Sequence, residues 1–223
     1  MPDGQYSFYL HSDDRTDIAA MATISTISQP LRGEFIRTAA TAGAVVYRVD
    51  ARLPALIPVF FAGQLSAVRL CAVMALVSGT WSSLTGLPDE PENGEAALPV
   101  SPETEYQRRR YTLTLQNGRS GERVESVLTE ASSRLRGDLL RNLIITGLAL
   151  HTTAPELPRL LASMPVPPTS VSELQALVQQ MAGTADVNRA AAAVPDTPAA
   201  SAAPVSGADT REIKKNMRRA FGD

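Results

Sequence analysis

The residues best equipped for chemistry in this chain are three consecutive arginines, Arg108, Arg109 and Arg110, which run into a stretch of alternating polar and apolar side chains. Guanidinium groups bind anions, and an arginine can pair through two hydrogen bonds with a phosphate or a guanine edge. A second cationic segment, residues 210–223, surrounds an apolar stripe at the other end of the sequence. Both segments predict contact with an anionic partner, against the alternative of a solvated charged face.

Residues for catalysis or metal binding are few. Cys71 is the single cysteine, and His11 and His151 are the two histidines. A disulfide within the chain and a cysteine-based zinc site are therefore excluded. The sequence contains no phosphate-binding glycine-rich loop, nucleophile elbow or zinc-protease motif. We interpret the chain as a non-enzymatic protein without a cofactor, so that any ATPase activity would belong to a partner.

The overall composition fits a globular protein with an aliphatic core. Of the 223 residues, 44% are hydrophobic and 5% aromatic, and the net charge of −2 excludes a uniformly basic coat for nucleic acid. The first residues lack the pattern of a signal peptide, so we expect a cytoplasmic protein. Residues 55–79 are apolar, but Pro58, Gln64 and Arg69 interrupt them and favour packed helices over a membrane span.

Composition also divides the chain into segments. Residues 86–107 are acidic and rich in proline, and residues 183–208 are rich in alanine, proline and serine. Neither segment has enough apolar side chains to offset the entropy cost of ordering, so both are expected to be flexible linkers. The expected organisation is a folded block at 1–85, the linker 86–107, a second block at 108–182, the linker 183–208 and a tail helix at 209–223.

The two blocks are copies of one unit. Residues 31–37, LRGEFIR, correspond to residues 135–141, LRGDLLR, at an offset of 104, and Gly43 matches Gly147 at the same offset. Nearer the start of each block, YSFYL corresponds to YTLTL at an offset of 105. Several matches in a fixed order predict an internal duplication.

Each copy is predicted to form a strand followed by two helices. Period-2 alternation predicts a half-buried strand, with Ser7 and Tyr9 on the outer side of the first copy. Ser28 and Ser132 are placed to cap the second helix of each copy. The positions predicted to be buried on the helices are Leu31, Phe35, Ile36, Ala39 and Val46 in the first copy, and Val124, Val127, Leu128, Ala131, Leu135, Leu139, Leu140, Leu143 and Leu148 in the second.

One strand with two helices cannot bury its own apolar face or pair its own backbone. Two such units solve both problems when their strands pair antiparallel and their helices interlock. We therefore predict a mainly α fold with two short strands, in which ribbon-helix-helix-like repeats with helical extensions pair as a pseudo-dimer. A strand in an ordinary α+β core, and a domain-swapped or four-unit homodimer, are the alternatives.

An exposed two-stranded ribbon fits the major groove of DNA, where its outward side chains reach base edges. The first turn of each second helix suits a phosphate. The second copy is expected to carry the main DNA face, because Asp13, Asp14 and Asp17 follow the first strand. The candidate DNA-binding residues are Ser7, Tyr9, Arg32, Arg109, Arg110, Thr112, Thr114, Gln116, Arg136 and Gly137.

Two long segments, LRGEFIRTAATAGAVVYRVDARLP and LRGDLLRNLIITGLALHTTAPELP, resemble the central part of ParR-type plasmid partition adaptors, also called StbB. The terminal EIKKNMRRAF is similar to the lysine-rich last helix of that family. The resemblance implies a ribbon-helix-helix that binds centromere-like repeats of double-stranded DNA, and a tail that couples this DNA to an actin-like ATPase filament, ParM. Family members normally carry one unit per chain, whereas this chain carries two.

The tail has a pattern of its own, since its apolar residues recur every four positions between cations. Such a segment typically folds on binding and lays its stripe in a partner's groove, which the resemblance assigns to the filament. A nonspecific DNA-binding tail and a membrane-surface helix are the alternatives, and we expect no membrane partner. The candidate partner-binding residues are Ile213, Lys214, Met217, Arg218 and Phe221.

Two other functions remain open at this stage. A ribbon-helix-helix transcriptional repressor or conjugation accessory protein would use the same ribbon, with a tail that only adds DNA affinity. A helical interaction protein that never touches DNA is the more distant option. An oligomer of the chain on DNA is compatible with the partition adaptor and with the repressor or accessory protein.

Overall fold

Each copy of the repeat folds as a strand followed by two long helices. In the first copy these are β1 (Gln5–His11), α1 (Arg15–Ser25) and α2 (Gln29–Val49). After them come α3 (Leu53–Leu56), a short 3-10 helix (Ile57–Phe60) and α4 (Ala67–Ser78). The second copy contains β2 (Arg108–Thr114), α5 (Arg119–Glu130), α6 (Arg136–Thr153), α7 (Leu157–Ser163) and α8 (Val171–Ala192).

The structure, a computed structural model, describes residues 4–80 and 108–192, the last nine of these as backbone only. The chain divides into two units, Met1–Val187 and Asn188–Asp223, and the second is described only as far as the end of α8. The linker 86–107 and the tail 209–223 lie outside the described residues. The prediction that a linker begins at residue 183 needs correction, because α8 continues to Ala192. The alanines near the end of α8 favour the continuation of this helix, since alanine has the highest intrinsic helix propensity.

The two strands pair antiparallel within the chain and form the sheet of the described residues. Ser7 stands opposite Thr112, and these two residues are also equivalents in the duplication, at the offset of 105. A pseudo-two-fold axis therefore passes through this pair. The predicted mainly α, ribbon-helix-helix-like pseudo-dimer is confirmed.

The core is centred on the crossing of α2 and α6. Residues 39–46 of α2 and residues 143–150 of α6 are buried at every position, so each helix is covered on all sides there. Gly43 and Gly147 make the close crossing possible. A Cβ atom at Gly43 would lie 2.6 Å from the carbonyl carbon of Leu143, and one at Gly147 would lie 2.6 Å from that of Ala39.

The predicted helix faces are correct in the middle of the helices and wrong at their starts. Leu31 and Leu135 are 61% and 57% exposed, because the first turn of α2 and the residue that precedes α6 lie beyond the crossing. Ser28 precedes α2 but its side chain makes no capping bond, and Ser132 is not a cap, since a turn intervenes before α6 begins at Arg136.

The apolar segment 55–79 is divided among α3, the 3-10 helix and α4, as expected for packed helices. Leu70 and Met74 of α4 are fully buried in the core. Within residues 4–80 and 108–192, no helix is both long and apolar enough to cross a bilayer.

Candidate nucleic-acid interface

The ribbon presents one apolar and one polar face. Phe8, Leu10, Leu113 and Leu115 are buried against the helices. The opposite face carries Gln5, Ser7, Tyr9 and His11 of β1, paired with Thr114, Thr112, Arg110 and Arg108 of β2. All four outer residues of β2 are exposed, and Ser7 and Tyr9 are half-buried. The alternation predicted from the sequence is therefore correct.

Two arginines on the outer face are held by contacts across the strands. Arg110 donates from Nε and Nη2 to Ser7 Oγ, at 3.2 and 2.9 Å. The Arg108 guanidinium carbon lies 3.5 Å from the ring centroid of Tyr9, a close cation–π contact. Both contacts are diagonal, between residues two positions away from direct pairing. They limit the rotamers of side chains that would otherwise move freely in solvent.

Arg109 differs from its two neighbours. It pairs with Leu10 and shares the inner side of β2 with Tyr111, whose ring centroid is 5.3 Å from its guanidinium. Arg109 therefore does not join Arg110 on the outer face, because successive residues of a strand point to opposite sides. Gln116 is exposed but follows β2 rather than belonging to it.

Equivalent arginines lie at the starts of α2 and α6. Arg32 Nε donates to the Ile27 carbonyl at 2.8 Å, and Arg136 Nε donates to the Ala131 carbonyl at 3.2 Å. The Nη1 and Nη2 groups of Arg136 can therefore donate to another acceptor. In Arg32, Nη2 also donates to the Ser25 carbonyl at 3.3 Å, so Nη1 is the group that remains. Each arginine is therefore anchored at a helix N-terminus beside the ribbon.

Two tyrosines connect these helix starts to the ribbon. Burial raises the pKa of Tyr6, and nearby Glu125 raises it further while Arg136 opposes the rise. Burial likewise raises the pKa of Tyr111, with Arg109 and Arg32 opposing. The positive charge of each second-helix arginine thus opposes the rise in the pKa of the tyrosine in the other copy.

Gly137 follows Arg136 in the first turn of α6. A Cβ atom there would lie 3.5 Å from the Ser7 carbonyl oxygen, an ordinary van der Waals distance. This proximity sets the first turn of α6 directly beside the middle of β1. The helix N-terminus and the outer ribbon therefore belong to one surface.

The acidic residues after β1 are tied to the second copy. Arg141 of α6 donates from Nε to Asp17 at 2.7 Å and from Nη2 to Asp14 at 3.0 Å. The Asp17 side chain is fully buried and also accepts from the His11 backbone N–H at 2.9 Å. Burial raises the pKa of Asp17, although the hydrogen bonds that Asp17 accepts from His11 and from Arg141 oppose the rise. These aspartates were the reason to expect the main DNA face on the second copy, and the charges of Asp14 and Asp17 are paired with Arg141.

Three outer residues, Gln5, His11 and Arg108, were not among the candidate DNA-binding residues, although Arg108 belongs to the arginine run that was predicted to contact an anion. The same period-2 alternation would have found them if it had been extended by one step at the ends of the strands. Within the described parts of the chain, His, Cys, Asp and Glu form no cluster able to hold a metal ion. The arrangement is suited to binding a polyanion through directed donors.

A two-stranded ribbon backed by two interlocked strand–helix–helix units defines a ribbon-helix-helix-like protein. The chain belongs to the plasmid stability protein family, whose model matches it twice, at residues 4–74 and at residues 109–178. The two matches cover more than half of the chain and confirm the internal duplication. No curated protein and no solved structure matches it.

Proposed function

We propose that this plasmid stability protein is a partition adaptor of the ParR/StbB type, which binds centromere-like DNA repeats through its ribbon. The outer face of the ribbon is the observation that carries the proposal. It presents guanidinium, hydroxyl, amide and phenol groups outward, while the apolar residues of the opposite face, Phe8, Leu10, Leu113 and Leu115, are buried. Groups of these kinds read base edges in the major groove.

Arg110 is the strongest candidate for base recognition. Its two bonds to Ser7 occupy the Nε–H and one Nη2–H, so three N–H groups of the guanidinium remain. An Nη1–H and the second Nη2–H can donate together to the O6 and N7 atoms of guanine. Thr112 and Thr114 stand on the same face and can meet a base edge or a thymine methyl group.

The helix starts supply the phosphate contacts in this proposal. Arg32 and Arg136 lie at the N-termini of α2 and α6, where the positive end of the helix dipole favours an anion. Their positions are related by the pseudo-two-fold axis. DNA backbones on both sides of a groove-bound ribbon would meet equivalent clamps.

The second half of the proposal concerns the tail, which lies outside the described residues. Its apolar residues Ile213, Met217 and Phe221 would enter a groove on an actin-like filament, with Lys214 and Arg218 beside them. Several adaptors bound to one array of DNA repeats would present several tails together. This multivalency would convert weak single contacts into firm capture of a filament. The protein would thus be a non-enzymatic cytoplasmic adaptor that needs no cofactor.

A ribbon-helix-helix repressor or conjugation accessory protein is the second candidate. The outer face of the ribbon fits this function equally well, because a repressor reads DNA in the same way. The two functions differ in the tail, which a repressor would not need for contact with a filament.

The DNA-binding part is tested by selection from a pool of random double-stranded DNA with the full chain. We expect an enriched motif, and we expect Arg110→Ala to lose roughly 1–3 kcal/mol of binding free energy on that motif. Arg48→Ala is the matched control. Arg48 is a surface arginine near the C-terminal end of α2, away from the ribbon, and its side chain donates to Glu130 of α5. If no sequence is enriched, or if Arg48→Ala weakens binding as much as Arg110→Ala, the proposal is wrong.

A further inference from the structure

We propose that the ribbon reads a DNA site with two unlike halves, and that Tyr9 and Arg110 determine the direction in which the chain lies on it. The inference rests on the proposed DNA binding and adds a specificity that this binding does not require. A homodimeric ribbon has identical halves and reads the same base pattern from both directions. Duplication within one chain has removed that constraint here.

The two halves of the ribbon differ most clearly when residue pairs at the same distance from the pseudo-two-fold axis are compared. The axis passes through the Ser7–Thr112 pair, and the next outer pairs are Tyr9–Arg110 on one side and Gln5–Thr114 on the other. Each lies two residues from the axis, about 7 Å along the ribbon. One half therefore offers a guanidinium and a phenol, and the other half offers an amide and a hydroxyl.

Charge increases the difference further from the axis. Arg108 is exposed beyond Arg110, on the same half of the outer face, and it stacks on Tyr9. The sequence equivalents of residues 108–110, at the offset of 105, are residues 3–5, Asp-Gly-Gln. Three arginines in one copy thus correspond to no cation in the other.

The framework around the ribbon remains symmetric. Arg32 and Arg136 make equivalent hydrogen bonds at equivalent helix starts, and Gly43 and Gly147 make equivalent backbone contacts. Phosphate contacts that follow this framework would hold the chain equally well in either direction. The outer side chains differ between the two halves of the ribbon, which makes them the specificity-determining groups in this proposal.

Side-chain chemistry predicts what each half prefers. Arginine pairs with the O6 and N7 atoms of guanine, glutamine pairs with adenine, and threonine contacts the thymine methyl group. The half of the site under Tyr9–Arg110 should therefore contain guanine, and the half under Gln5–Thr114 should favour A·T pairs. Chains bound to direct repeats would then all lie in the same direction along the DNA.

The test compares motifs selected from a pool of random double-stranded DNA by two forms of the full chain. The first is the natural sequence, and the second is the double variant Tyr9→Thr with Arg110→Gln, which gives both halves the same inner pairs. We expect a non-palindromic motif with guanine in one half for the natural chain, and a more palindromic motif without that guanine for the variant.

The outcomes separate the inference from the proposal beneath it. A palindromic motif for the natural chain would overturn the inference while leaving DNA binding intact. An asymmetric motif that the double variant retains would overturn the assignment of direction to Tyr9 and Arg110. Absence of any enriched motif for the natural chain would overturn the proposed DNA binding itself, and the inference with it.

Discussion

Gly43 of α2 and Gly147 of α6 hold equivalent positions in the two copies, and each lies against the backbone of the other copy's helix. Gly43 meets Leu143 and Gly147 meets Ala39, and residues 39 and 143 are themselves equivalents at the offset of 104. This reciprocity is the geometry of an isologous dimer interface, realised here within one chain. It fixes how the two strands meet and hence the surface that the ribbon presents.

Alanine at position 43 should destabilise the fold. The added Cβ would overlap backbone atoms of Leu143, which cannot rotate away, so we expect Gly43→Ala to lower the free energy of unfolding by about 1–3 kcal/mol. Gly33→Ala is the control in the same helix, because only Arg37 Nη1 lies near its added Cβ, at 3.7 Å. There, the gain in helix propensity should raise stability by up to about 1 kcal/mol. Urea unfolding measures both, and equal stability of the two variants would contradict the crossing.

Removal of Arg141 should be costly because it leaves buried Asp17 without its cation. We expect Arg141→Met to lower the free energy of unfolding by about 3–5 kcal/mol. Arg37→Met is the matched control, since Arg37 is the equivalent residue of α2 and forms a surface pair with Glu34. That change should cost less than about 1 kcal/mol. The interpretation fails if both variants lose the same stability in urea unfolding.

The stability of the protein should depend on pH through Asp17 in an unusual direction. Burial raises the pKa of this carboxyl above its ordinary value of 3.8, so the folded state holds its proton more tightly than the unfolded state does. The Asp17 contribution to stability is therefore present below the ordinary pKa and is lost as the pH rises through the folded-state pKa.

Unfolding free energies of the natural chain and of Asp17→Asn, measured between about pH 3 and pH 7, test this sign. The advantage of the natural chain over the variant should shrink as the pH rises. Asp50→Asn is the control, because the hydrogen bond from Arg52 lowers the pKa of Asp50, and the advantage over that variant should grow with pH. An advantage over Asp17→Asn that also grew with pH would refute the raised pKa.

The arginines at the helix starts should contribute affinity without sequence preference. If Arg136 contacts a phosphate, Arg136→Ala should weaken binding similarly on all sequences and reduce the slope of log affinity against log salt by about one. Arg32→Ala should behave in the same way, because its position is equivalent. Fluorescence titrations of the selected motif and a scrambled duplex, at several salt concentrations, measure both quantities. A changed base preference with an unchanged salt slope would instead place these arginines on bases.

The apolar stripe of the tail should couple DNA to filaments and be dispensable for DNA recognition. We expect Phe221→Ala to abolish co-sedimentation of the selected DNA with ParM-type filaments, because burial of one such side chain contributes roughly 1.5–3 kcal/mol. Binding of the full chain to its motif should persist at high salt, where tail cations are screened. Asn216→Ala, a change in the tail outside the stripe, is the control. Loss of DNA affinity with intact filament binding would make the tail a DNA arm and favour the repressor function.

The repeated strand–helix–helix unit and the outward face of each strand could be predicted from the amino-acid pattern alone. Both are local properties, since a period of two or of 3.6 residues reveals which positions share a face. The need of each lone strand for a partner then required antiparallel pairing of the two copies. The same alternation places Ser7, Tyr9, Arg110, Thr112 and Thr114 on the outer face of the ribbon.

The limits of the buried helix faces and the pairing of distant charges could not be predicted from the sequence, because both depend on how the two copies pack. Leu31 and Leu135 continue the apolar pattern of their helices, yet they extend past the crossing and remain exposed. Arg141 and Asp17 are 124 residues apart, and no local pattern joins them. Arg109 belongs to a cationic run in the sequence, but the pleat of β2 turns it away from Arg110. Such features depend on how the two copies pack together, which is a relation between segments and not a property of either one.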